Sequence, residues 1–154
     1  MATKTIPGKL PPHDEEAERS TLSAVLLDPE AIVKVAEHVT PESFYEPRHQ
    51  KIYLAMQNLY ENRSPIDAVT LTNQLKKQKA LDEVGGTAYV AELSGLLSTA
   101  ANVGRYAELV AENAIKRRLI SLGGEMTELA YDDAKEVRDI VDIAEQRVYA
   151  LSQA

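Results

Sequence analysis

Between Asn102 and Tyr131 the chain contains no proline, and Ile115, Leu119, Leu122, Met126 and Leu129 recur at steps of four, three, four and three. That spacing keeps an apolar seam on one side of a helix and fits no strand period. After the polar pair Asp132-Asp133 the same order returns in Val137, Val141, Ala144, Val148 and Leu151. Two seamed helices joined by a tight turn predict a long antiparallel hairpin. Gly123 and Gly124 fall inside the first helix, each costing about 1 kcal/mol relative to alanine, so either two backbones approach closely there, or the helix bends, or a weak spot is simply tolerated. Ile120, Ile140 and Ile143 stand off the seams. Such residues on a two-helix unit leave apolar surface that either a second copy of the chain would cover, the preferred reading, or the head itself would cover where they fold back on it.

Upstream, proline and glycine cut the helical pattern into shorter pieces. Pro7, Gly8, Pro11 and Pro12 suppress helix and predict an arm over residues 1–12. Asp14 to Leu27 reads as a helix with Leu22, Val25 and Leu26 on one face and Asp14, Glu15, Glu16 and Glu18 at the positive end of its dipole. Asp28-Pro29 starts a second helix, with Ile32, Val35, Ala36 and Val39 at helical spacing, which stops before Thr40-Pro41. Pro47 opens a third, with Ile52, Met56, Leu59 and Tyr60 inward, closed by the turn Asn62-Arg63-Ser64-Pro65. Asp67 caps a fourth, with Leu71 and Leu75 facing in and Lys76, Lys77 and Lys79 at its tail. Gly85-Gly86 precedes a fifth, in which Val90, Leu93 and Leu97 share a face while Tyr89 lies off it. Almost no segment alternates apolar and polar residues, so a sheet is not expected. The expected fold is all-α: a compact multi-helix globular head over 13–100, then a long antiparallel helical hairpin over 101–154.

Composition restricts what such a chain can do. The net charge is −7, from 24 acidic and 17 basic residues, and the deficit is spread along the chain. Gripping DNA by its phosphates calls for a basic face, so strong direct DNA binding is disfavoured. With no cysteine, disulfides and thiolate metal sites are impossible. No stretch approaches the ~18 apolar residues of a membrane span, and no leader pattern opens the chain, so a soluble cytoplasmic protein is expected.

The sequence holds no constellation expected to carry chemistry. A phosphate loop needs glycines and a lysine in the order G-x-x-x-x-G-K-[ST], and neither Gly8-Lys9, Gly85-Gly86 nor Gly123-Gly124 supplies it. His13, His38 and His49 form no metal-ligand array, and structural roles are expected, with His49 hydrogen-bonding locally in the first turn of its helix. The carboxylates from Asp14 to Glu18 are explained by the helix dipole. Lys116, Arg117 and Arg118 read as a solvated face, with Glu112 at ion-pair spacing from Lys116. No catalytic, cofactor-binding or metal-binding residue is assigned.

With the helices placed, five blocks of residues become recognisable. Pro11-Pro12-His13 with Glu16-Ala17-Glu18 and Leu22 to Asp28 resembles the opening segment of DnaB-type replicative DNA helicases. Ser43-Phe44-Tyr45 followed by His49, Ile52 and Ala55-Met56 is similar to a second block of that family, and Pro65-Ile66-Asp67 with Val69-Thr70-Leu71 to a third. Gly85-Gly86 with Tyr89 and Ala91-Glu92-Leu93 resembles a fourth. Ala100-Ala101-Asn102, Tyr106-Ala107, Val110 and Arg117-Arg118-Leu119-Ile120 resemble a fifth. Asn113, where a lysine is usual, and Gly123-Gly124, in place of better helix formers, depart from the pattern.

The resemblance implies an N-terminal collar domain that assembles as pairs of hairpins within a hexamer. It implies docking of a DnaG-type primase and of a helicase loader. Single-stranded DNA would be met only through the complete ring, whose ATPase domain, using ATP and Mg, would lie outside this chain. A stand-alone helical adaptor is the alternative reading. The protein-binding residues expected are Tyr89, Ile120, Met126, Ile140 and Ile143. Of these, Tyr89 and Ile120 are expected to be exposed, as primase anchors at the junction of head and hairpin.

Overall fold

A computed structural model describes residues 9–153, so residues 1–8 of the expected arm lie outside the described residues. Eight α-helices and one 3-10 turn are found among them, and no strand. Contacts divide the described residues into two compact units, His13–Glu112 and, separately, residues 113–153 together with residues 9–12.

The first unit begins with α1 (Glu15–Leu27), whose cap Asp14 accepts the Ala17 amide at 3.0 Å. That bond satisfies one of the amides that a helix start leaves without a partner. Helix α2 (Ala31–Ala36) is shorter than its apolar spacing suggests. Both the His38 and Val39 amides turn back to the Val35 carbonyl, so the helix unwinds into a turn while Val39 stays buried. The 3-10 turn Pro41–Ser43 follows, closed by the Thr40 amide on Ser43 Oγ at 3.0 Å.

Helices α3 (Pro47–Glu61) and α4 (Ala68–Lys77) end in the same way. Arg63 and Lys79 each adopt φ 56°. The next amide then reaches five residues back, Ser64 to Leu59 and Ala80 to Leu75, both at 2.9 Å. This stop usually employs glycine, because a side chain in left-handed backbone is strained. Helix α4 starts with a reciprocal cap: Asp67 accepts the Thr70 amide and donates its own amide to Thr70 Oγ1, both at 2.9 Å.

A single turn, α5 (Leu81–Val84), is not visible in the apolar periodicity. It precedes α6 (Gly86–Ser94). Gly85 separates them at φ 108°, where a Cβ would come within 2.9 Å of Tyr89 Cβ. Leu97, expected inside this helix, lies beyond its end, and its amide donates to Ser23 Oγ at 3.2 Å. The core is filled by Leu22, Val25, Phe44, Ile52, Tyr53, Met56, Leu71, Leu75 and Leu93, none with measurable exposure. Helix α7 (Val103–Ala130) contributes its first turns to this unit through buried Val103, Ala107 and Val110, which carry it past residue 100.

In the second unit the rest of α7 and α8 (Val137–Ser152) are joined by the turn 131–136, and an Arg147–Glu125 ion pair links the two helices. Arg118, Ser121 and Leu122 of α7 and Ala150 and Leu151 of α8 line one cleft of ≈ 300 Å³, an antiparallel register. Helix α7 runs unbroken through Gly123 and Gly124. A Cβ at Gly123 would meet nothing within 4 Å, so no backbone approaches there.

Candidate interaction surfaces

The head's buried polar centre is built from α1, α3 and α6. Glu18, expected among the dipole-facing acids, is only 1% exposed. Its carboxylate accepts the Tyr45 amide at 2.6 Å and the Glu46 amide at 3.3 Å, two donors at the start of α3. It also meets His49 Nδ1 at 2.8 Å, and His49 Nε2 meets the Tyr89 hydroxyl at 2.6 Å. A carboxylate only accepts, so Nδ1 carries its hydrogen toward Glu18. The partners of His49 are thus distant in sequence rather than local, because the first turn of α3 points its ring between two other helices.

Tyr89 corrects a second expectation. It is buried rather than exposed, because Gly85 lets the chain turn so that the phenol faces His49. Burial raises its pKa, an effect partly opposed by Arg48 and Arg19. The Arg48 guanidinium lies 3.9 Å over the Tyr89 ring and pairs with Glu15 at 3.5 Å. Carboxylate, imidazole and phenol in a row resemble a proton relay, but all three are sealed in the core. The arrangement acts as a strut. Among the described residues no group of three or more His, Asp or Glu is placed to hold a metal ion, and no helix is long and apolar enough to cross a membrane.

The hairpin follows the expected seams in part: Leu122, Met126 and Leu129 of α7 and Ala144 and Leu151 of α8 are half-buried, while other seam positions are not. Val137, Val141 and Val148, read as the inner seam of α8, are 75%, 48% and 49% exposed. Ile140 and Ile143, read as outward, are half-buried, as are Ile120 and Met126 of α7. With Arg147 turned to Glu125, the inner row of α8 becomes Ile140, Ile143, Arg147 and Leu151. Two rows four and three residues apart coexist on α8, and periodicity alone does not say which of them meets α7. The outer row, with Tyr149 at 66% exposure, borders a shallow cleft of ≈ 460 Å³ formed with Ala144, Glu145 and Ser152. On α7, Ile115 and Leu119 are likewise exposed. Arg117, read as part of a solvated face, instead donates to the Pro12 carbonyl at 2.8 Å.

This geometry has relatives. The sequence model described as the DnaB-like helicase N terminal domain matches residues 10–112. The replicative DNA helicase DnaB of Leifsonia xyli subsp. xyli is 40% identical over 146 residues, covering 95% of this chain and 32% of the relative. Its counterpart in Geobacillus stearothermophilus is 39% identical over 145 residues, covering 94% and 32%. The chain thus spans about a third of the length of the curated relatives it matches. The crystal structure of the N-terminal domain of DnaB helicase from Mycobacterium tuberculosis superposes with a TM-score of 0.87 at 38% identity, over 92% of this chain and 99% of that one. A DnaB-like replicative helicase, solved with its interactions with primase, gives 0.73 at 25% identity over 90% of this chain and 31% of that one. By sequence and by fold, this chain belongs to the DnaB-like helicase N-terminal domain family.

Proposed function

We propose that the chain is the assembly and docking part of a replicative DNA helicase, bringing copies of the parent protein together and receiving primase, without chemistry of its own. The observation that carries this is the apolar row Val137, Val141 and Val148 with Tyr149, left exposed on α8 in a member of this family. A two-helix unit buries little, and covering such a row with the same row of a second copy gains apolar burial with two-fold symmetry. Pairs of this kind would make up a hexamer, with the motor domain, its ATP and Mg, and single-stranded DNA belonging to the complete ring in the cytoplasm.

Primase would dock on half-buried Ile120 and Met126 of α7, with a loader as the other partner. Tyr89, being buried, would support that docking through Arg48 above its ring rather than as an anchor. The test is light scattering of the chain across concentration. Val141→Asp, which places an unpaired charge in the contact, should reduce the mass to that of a monomer, since such a charge costs several kcal/mol. A monomer in the wild type at all concentrations would overturn the assembly role. Titrating the C-terminal domain of the cognate primase into wild type and Ile120→Asn tests the docking role, and equal affinities would move the site elsewhere. Purified chain should show no ATP turnover.

A further inference from the structure

The surface of the head carries an apolar groove beside α2 and the end of α3. Ile32, Val33 and Ala36 of α2 and Tyr53 of α3 line one part, of ≈ 270 Å³. Pro29, Pro65 and Ile66 line a larger part, of ≈ 680 Å³, and the two share Tyr60 and Glu61. Val33 is 49% exposed and Tyr60, expected to face inward, is 39% exposed, so apolar surface is open to solvent along the groove. The rim is acidic, with Glu30 and Glu61 against the single base Arg63. The unit that carries it, His13–Glu112, holds sixteen acidic and nine basic residues.

One segment of the chain has the opposite character. Residues 1–12 contain two lysines, Lys4 and Lys9, and no acid. Leu10 beside Lys9 is 76% exposed, among the most exposed large apolar residues described. Its root is fixed, because the Pro12 carbonyl is held by Arg117. An exposed aliphatic anchor next to a lysine suits an apolar groove with a carboxylate rim.

We infer that the groove between α2 and the end of α3 receives the Lys9-Leu10 arm of a second copy of this chain. This rests on the self-association proposed above and adds to it a second contact that does not involve the α8 row. Because the contact pairs a small apolar anchor with exposed charges, it weakens as salt screens them.

The experiment places a photoreactive benzoylphenylalanine at position 10 and mixes that chain in equal amounts with nitrogen-15-labelled chain lacking it. Light scattering gives the mass of the same sample. The expected result is crosslinks between labelled and unlabelled peptides that land within residues 29–66. Lys9→Glu on the arm, which cannot unfold the head, and Tyr60→Glu on the groove should each reduce the yield about tenfold, as an unpaired or repelling charge in a contact does. Crosslinks within one chain, crosslinks outside 29–66, or a yield indifferent to Lys9→Glu would overturn the inference. An oligomer showing any of these leaves the α8 contact standing, whereas a monomeric mass overturns both.

Discussion

Glu18 and His49 stand 31 residues apart in sequence and meet at 2.8 Å in a place closed to solvent. Removing the carboxylate would leave two backbone amides and an imidazole nitrogen buried without their acceptor. Glu18→Ala should therefore destabilise the chain by about 3–5 kcal/mol in urea unfolding. Glu18→Gln keeps one of the two acceptor oxygens and turns an NH2 donor toward the remaining amide or ring N–H, so it should cost less than alanine but still destabilise. A loss below 1 kcal/mol for alanine would mean that water takes over the carboxylate's bonds.

Tyr89 fills space and also closes this chain of hydrogen bonds. Tyr89→Phe should cost about 1–2 kcal/mol for the lost hydroxyl. Tyr89→Ala should cost about 3–5 kcal/mol, because a cavity is added. Thermal melts followed by circular dichroism would show it, and an alanine variant that melts like the wild type would place this side chain on the surface after all.

The two glycine sites should respond in opposite directions. Gly123 sits in regular helix with free space about it, so Gly123→Ala should stabilise by about 0.5–1 kcal/mol. Gly85→Ala should destabilise by at least about 1–2 kcal/mol, since φ 108° is left-handed and the added carbon would collide with Tyr89 Cβ. Should Gly123→Ala instead weaken self-association without loss of helix, a second copy must pack against that position.

Burial raises the pKa of Tyr53, partly offset by Gln57, and that of Tyr89. The neutral phenol is thus favoured in the folded state, while the unfolded chain ionises near pH 10. The resulting stability is intact below that pH and is lost as pH rises through the raised folded values. Urea midpoints measured from about pH 8 to pH 11 should fall at the alkaline end, and less steeply in Tyr89→Phe. Identical slopes in the two proteins would remove Tyr89 from the effect.

Helices α1, α3 and α4 were legible because their caps and stops are local chemistry: Asp14, Pro47 and Asp67 announce starts, and the turn after Tyr60 announces an end. Helix α5 was not, since four residues hold a single turn and no period can be read from it. The early end of α2 escaped because Val39 keeps helical spacing although its backbone has already turned. The core strut was invisible for a different reason. Nothing near Glu18 in sequence distinguishes it from Glu15 and Glu16, and only the arrival of His49 makes it a buried acceptor. On α8, two apolar rows satisfied the same arithmetic, and the Arg147–Glu125 pair shows which of them turns toward α7.

The strut also bears on how the head comes apart. Its three members come from α1, α3 and α6, and His49 bridges partners 31 residues before it and 40 after it. None of these helices can swing away without stranding a polar group of another inside the core, so partial opening is penalised at every one of them. The slowest amide protons of the three helices should then share one opening free energy in hydrogen exchange and behave as a single cooperative unit. Joining separations this long comes late in folding, because loop closure precedes the contacts that reward it.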